Sequence, residues 1–194
     1  MSAPRKRVRI TKKREFRPHG EHMHAARLFY RNAQADFKGP YYQLSACLAF
    51  CAFSLEAYLN LLGEQTIVCW RDVQRAPPLA KLHLLFSQFG IRLNSSKRPL
   101  QTIRELFMYR NWLAHTQPEI ILYDAKHSIE DHEKLLYEAP LHKWEKFPTD
   151  ATAARAIKDV EEVITLLNAK SPYPEPMPMS LSWHSGGSSM DNDI

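Results

Sequence analysis

The stretch YYQLSACLAFCAFSLEAYLNLL, residues 41–62, decides the fold. It holds no proline or glycine, and most of its positions are apolar: Leu44, Ala46, Cys47, Leu48, Ala49, Phe50, Phe53, Leu55, Tyr58 and Leu59. These residues fall on every side of a 3.6-residue helix, and a helix that is apolar all round belongs at the centre of a bundle. Gly63 follows and is expected to close the helix as a C-cap. By length alone the segment is also a candidate membrane span. Glu56 and Asn60 stand well inside it, however, where polar groups are costly in lipid. A buried bundle helix accounts for it better.

Working outward, a first helix is expected from about Gly20 to Phe37, with Ala25, Leu28, Phe29 and Ala33 along one side. Gly39-Pro40 breaks the chain before the long helix, and Pro77-Pro78 ends the connection after it. A third helix, about Leu79 to Phe89, carries Leu79, Leu82, Leu85, Phe86 and Phe89 and stops at Gly90. Ser95 and Ser96 offer N-caps for a fourth, about Lys97 to Ala114, with Pro99 in its first turn and Pro118 beyond its end. Residues 117–148 are mixed, with a short extended piece at Glu119–Tyr123 and a short helix at Ser128–Tyr137. Thr149 or Asp150 caps a last amphipathic helix bearing Ile157, Val160, Ile164 and Leu167. The expected fold class is therefore all-α, a four- to five-helix bundle spanning residues 20–170. Residues 1–19 read as a basic flexible arm, and residues 171–194 as a disordered Pro/Gly/Ser-rich tail.

Composition narrows the function classes. In 194 residues, 44% hydrophobic, there is enough apolar material for one core, and 6 glycines with few alternating runs argue against an all-β fold. The three cysteines, 47, 51 and 69, form no CxxC pair, and no Cys/His cluster has ligand spacing, so neither a metal nor a cofactor is expected. The basic N-terminus leads into no apolar run, so no signal peptide is expected, and the setting is read as cytoplasmic without membrane contact. The formal charge of +5 is unevenly placed. Residues 1–17 hold eight bases (Arg5, Lys6, Arg7, Arg9, Lys12, Lys13, Arg14 and Arg17) and one acid, Glu15. The remainder holds 18 bases and 20 acids, so its body is nearly neutral. Such an arm suits contact with RNA, and equally a solvated tail.

The fourth helix breaks its own pattern. Its inward stripe, Leu100, Ile103 and Phe107, continues to Arg110 or Asn111 and then Ala114. A guanidinium thus falls where an aliphatic side chain is expected, and a buried charge must be paired or act on a ligand. Asn111 and His115 are four apart and share a face. Glu56 and Asn60 are likewise four apart on the long helix, so Glu56 is positioned to hold Arg110 through a bidentate carboxylate–guanidinium contact. The same pair also reads as a structural salt bridge that fixes helix register.

Two segments, Ser54-Leu55-Glu56-Ala57-Tyr58-Leu59-Asn60 and Arg110-Asn111-Trp112-Leu113-Ala114-His115, resemble the HEPN family (higher eukaryotes and prokaryotes nucleotide-binding). The second is similar to that family's R-x(4–6)-H motif in its form with Asn after the Arg. The resemblance spans roughly residues 20–168. It implies a metal-independent endoribonuclease, often a toxin or anti-phage effector, in which two protomers face their motifs into one cleft. His115 would then be the acid/base group, Arg110 the phosphate clamp and Asn111 a positioning group, with Glu56 and Asn60 in support. RNA is the implied substrate, a homodimer the implied assembly, and an antitoxin or effector protein a further partner. Some relatives carry Tyr two residues after the His, where a partner enzyme modifies them; this chain has Gln117. The alternative is a HEPN-like module that binds RNA, nucleotide or protein without cleaving.

Overall fold

Helix α2 (Pro40–Thr66) is the axis of the molecule, here a computed structural model describing residues 8–35, 39–92, 94–122, 124 and 139–190. Around it stand α1 (Pro18–Ala35), α3 (Trp70–Val73), α4 (Pro78–Gln88), α5 (Leu100–His115) and α6 (Asp150–Lys170), and α2 touches all five. Its apolar surface explains why: Leu48, Cys51, Leu55, Tyr58 and Leu59 are fully buried along one face, and Leu44, Ala52 and Leu62 are buried beside them. The partners contribute single stripes, Met23 and Ala26 from α1, Leu82 and Leu85 from α4, Ile103 and Leu106 from α5, and Val160, Val163 and Leu167 from α6. The described residues are thus mostly helical, as the sequence predicts. Helix α2 is also the described helix long and apolar enough to cross a membrane, and more than half of that apolar window is buried inside the bundle.

Local chemistry sets several boundaries. Thr149 begins α6 with a capping box: its hydroxyl accepts from the Thr152 N–H while the Thr152 hydroxyl accepts from the Thr149 N–H. Gly90 takes φ 65° after α4, a conformation that suits glycine. Gly63 corrects the sequence expectation. Helix α2 does not end there but runs one turn further, and Gly63 is buried as a seat for the Trp70 indole, whose Cδ2 would lie 2.2 Å from an added Cβ. Nor do Ser95 and Ser96 cap α5. Helix α5 starts at Leu100, and Arg98 before it is pulled to α6, where Nε and Nη2 grip Asp159 at 2.9 and 2.5 Å. Glu119–Leu122 forms no strand, and the helix expected at 128–137 lies outside the described residues.

The two chain ends depart further from expectation. Rather than a flexible arm and a disordered tail, strands β1 (Val8–Glu15) and β2 (Trp183–Met190) pair antiparallel from Val8↔Met190 to Glu15↔Trp183. Ladder hydrogen bonds between main chains carry this pairing, and they are invisible to a reading based on composition. A clasp at the head of α1 holds the ribbon's base. Arg17 Nε donates to Glu15 at 2.7 Å, and its Nη1 donates to Glu175 at 3.2 Å and to the Ser180 hydroxyl at 2.9 Å. The Ser182 N–H donates to Glu21 at 3.0 Å. The tail passes so close that a Cβ on Gly20 would sit 2.0 Å from the Ser180 carbonyl oxygen. Beneath it lies His19, 2% exposed, edge-on to Tyr58 at 5.2 Å.

Candidate functional site

Three helices bring their polar exceptions to one place. Glu56 and Asn60 lie one turn apart on α2, Lys81 comes from α4, and Arg110 and Asn111 come from α5. The Glu56 carboxylate divides its oxygens between two cations. Oε2 accepts from Arg110 Nη2, and Oε1 accepts from Lys81 Nζ at 3.3 Å. Lys81 Nζ also donates to Asn60 Oδ1 at 3.0 Å, and Arg110 Nη1 donates to Asn111 Oδ1 at 2.9 Å. The contact expected from sequence forms, but through one oxygen only, because the other is taken by Lys81.

Burial grades across this network. The Lys81 side chain is 3% exposed, Arg110 18% and Glu56 25%, so the lysine is the inner anchor and the other two reach the surface. Two cations share one carboxylate, which leaves the cluster with a positive charge in excess. Arg110 Nε finds no acceptor among the described residues. Lys81 was not singled out in the sequence, although it sits beside Leu82 and four before Leu85 on the buried stripe of α4. A lysine in an apolar stripe was the available signal.

His115 is placed differently. It is the last residue of α5, exposed, and has no hydrogen-bond or ion-pair partner among the described residues. It lies five positions after Arg110, a rotation of about 140° around the helix axis. Within one chain the imidazole therefore does not join the guanidinium cluster. Asn111 links the two, since its carbonyl oxygen touches Arg110 and it lies one turn before His115 on the same face.

The chain leaving α5 is fixed by an aromatic shelf that the sequence reading did not assemble. Trp112 stacks on His142 with centroids 5.4 Å apart and planes 8° apart, and Tyr109 packs on Phe147 at 5.0 Å. Burial pushes the Tyr109 phenol up to about 12. His142 Nε2 in turn lies 3.5 Å from Glu119, just beyond His115. Comparison with protein-family models, with curated proteins and with solved structures finds no match to this chain.

On the other side of the network, Asn60 also lines an open groove of about 680 Å³ with Glu64, Arg71, Asp72, Gln74 and Arg75. Among the described residues, no three His, Cys, Asp or Glu side chains converge as metal ligands would. Of the arm residues read as RNA contacts, Arg9, Lys12, Lys13 and Arg14 stand exposed on β1, whereas Arg5, Lys6 and Arg7 lie outside the described residues. Arg17 does not belong with them, because Glu15 and Glu175 hold its guanidinium in the clasp.

Proposed function

We propose that this chain is a cytoplasmic, metal-independent endoribonuclease of HEPN type that works as a homodimer. The observation that carries the reading is the network at α5. Arg110 is held by Glu56, Asn111 lies against it, positive charge is in excess, and an exposed imidazole stands one turn away. In the reaction, His115 takes the proton from the RNA 2′-hydroxyl as that oxygen attacks the neighbouring phosphorus. A bond forms from O2′ to phosphorus, the bond from phosphorus to O5′ breaks, and an imidazolium returns a proton to O5′. The products are a 2′,3′-cyclic phosphate and a 5′-hydroxyl end. Arg110, pre-aimed by Glu56, stabilises the charge that builds on the phosphoryl oxygens.

Pairing of two copies supplies what the 140° rotation withholds, a His115 from one chain facing an Arg110 from the other. Apolar residues around His115 favour such a contact: Leu113 is 40% exposed, Ile120 88% and Leu122 87%. By resemblance the proposal extends to a toxin or anti-phage effector restrained by a partner protein. The test is RNA digestion in the presence of chelator with mapping of product ends. Cyclic-phosphate ends are expected, with His115→Ala slowing cleavage by about 10²–10⁴-fold. Cleavage at the same rate in His115→Ala ends the proposal.

A second reading is a HEPN-like module that binds RNA or protein without cutting. It is favoured by the engagement of Arg110 with Glu56 and Asn111, which an incoming phosphate must displace. It predicts saturable binding with no cleavage product at any pH.

A further inference from the structure

The β1–β2 ribbon carries a charge pattern that the helical site does not use. Strand residues alternate between faces, so Arg9 and Lys13 project from one face and Lys12 and Arg14 from the other. All four are exposed. No acid stands across from them: Lys12 pairs with Gly186, Lys13 with Ser185 and Arg14 with His184. Glu15, the strand's acid, is turned to Arg17 in the clasp. The ribbon therefore presents these cations with no cross-strand counter-charge. The partner strand is slim at Gly186 and Gly187, and adds little bulk beside the basic strand.

We propose that this ribbon is a docking element for double-stranded DNA. It enters a groove so that Arg9 and Lys13 meet the phosphates of one backbone and Lys12 and Arg14 those of the other. Charge on both faces is what decides this. A flat anionic surface such as a membrane rewards bases on one face, whereas a groove presents phosphates on two sides. A two-stranded ribbon fits the major groove of B-form DNA, about 12 Å wide. A-form RNA offers phosphates and 2′-hydroxyls in another geometry. Arg14 is already ordered, its guanidinium lying over the Phe16 ring at 5.2 Å. The proposal rests on the nuclease reading only in taking nucleic acid as partner. It adds that β2, which supplies none of these cations, is required to present them.

The experiment uses the His115→Ala chain, so that binding is read without cutting. Fluorescence anisotropy is measured with 20-base-pair duplex RNA, duplex DNA and single-stranded RNA of equal length across a salt series. Phosphatidylserine vesicles serve as the membrane arm. Duplex DNA is expected to bind more tightly than duplex RNA and than the single strand. A chain stopped after Ser182 keeps every base of β1 and every helix, and should lose about tenfold in duplex affinity. Full-length Lys12→Ser/Arg14→Ser should lower the salt slope by about 2. Helical circular dichroism accompanies the shortened chain, and the double variant carries the test if that chain fails to fold. Equal duplex DNA binding by the shortened chain, an unchanged slope in the double variant, or duplex RNA, vesicle or single-strand binding as tight as duplex DNA each overturns the proposal. A chain that never cuts RNA yet loses duplex binding when β2 is removed would sink the nuclease reading and leave this one standing.

Discussion

Replacing Glu56 with alanine tests how the three-helix network is held. Among the described residues, Glu56 is the carboxylate shared by Lys81 and Arg110. Its loss strands two cations of unequal burial. Arg110, 18% exposed, can turn to water and costs about 0–1 kcal/mol. Lys81, 3% exposed, keeps only the Asn60 carbonyl oxygen. Orphaning a buried charge costs about 3–5 kcal/mol, and the Asn60 contact places this one near the lower bound, about 3 kcal/mol. For a chain of this size that lowers Tm by about 6–12 °C. The assay is urea unfolding followed by helical circular dichroism, run as a cycle with Lys81→Met. Because the methionine removes the orphan, the double variant should recover at least half of the loss. A Glu56→Ala loss under about 1 kcal/mol, or strict additivity with Lys81→Met, would refute the reasoning.

Three further outcomes follow from burial and capping. Burial holds the His19 imidazole down at about 4 against an ordinary 6.5, so its contribution to stability is intact above pH 6.5 and is lost as pH falls through 4. Glu175 beside it is raised by burial and works in the opposite sense, and the Arg17 cation also faces the ring. His19→Phe should therefore flatten the urea midpoint between pH 4 and 6.5, and an unaltered slope would count against a buried neutral imidazole. Gly63→Ala should cost about 1–3 kcal/mol and shift tryptophan emission, because its methyl group would strike the Trp70 ring at 2.2 Å; an unchanged melting curve would show that the ring gives way freely. Thr149→Ala, which removes one half of the α6 capping box, should cost about 1 kcal/mol in thermal melts, with Ser restoring most of it.

The parts of this fold that sequence disclosed are those with strong periodicity. Residues 41–62 announce a central helix because no face of it is polar, and Ile157, Val160 and Ile164 announce α6 by spacing alone. Polar intrusions into such patterns pointed to four of the network's five residues: Glu56, Asn60, Arg110 and Asn111 were visible as exceptions and do meet. Lys81 was missed since a lysine near a helix start is ordinarily a surface residue. The placement of His115 outside the cluster was implicit in the spacing, because five positions turn it about 140° from Arg110; the face it shares with Asn111 drew the reading the other way. Gly63 misled for a different reason. A glycine after a helix pattern suggests a cap, and only the three-dimensional approach of Trp70 shows it as a packing notch. Ladder pairing between residues 8–15 and 183–190 joins segments too far apart in sequence, and too polar, to leave any local trace.

That same pairing makes the ribbon a late event in the life of the polypeptide. A chain emerging from the ribosome exposes residues 8–15 long before 183–190, so the helices between them have the opportunity to assemble before the strand finds its mate. If β2 is what presents the basic strand, any affinity for a helix of nucleic acid switches on only once residues 183–190 have been made. Copies cleaved between Lys170 and Trp183 would carry the folded helices while lacking this grip.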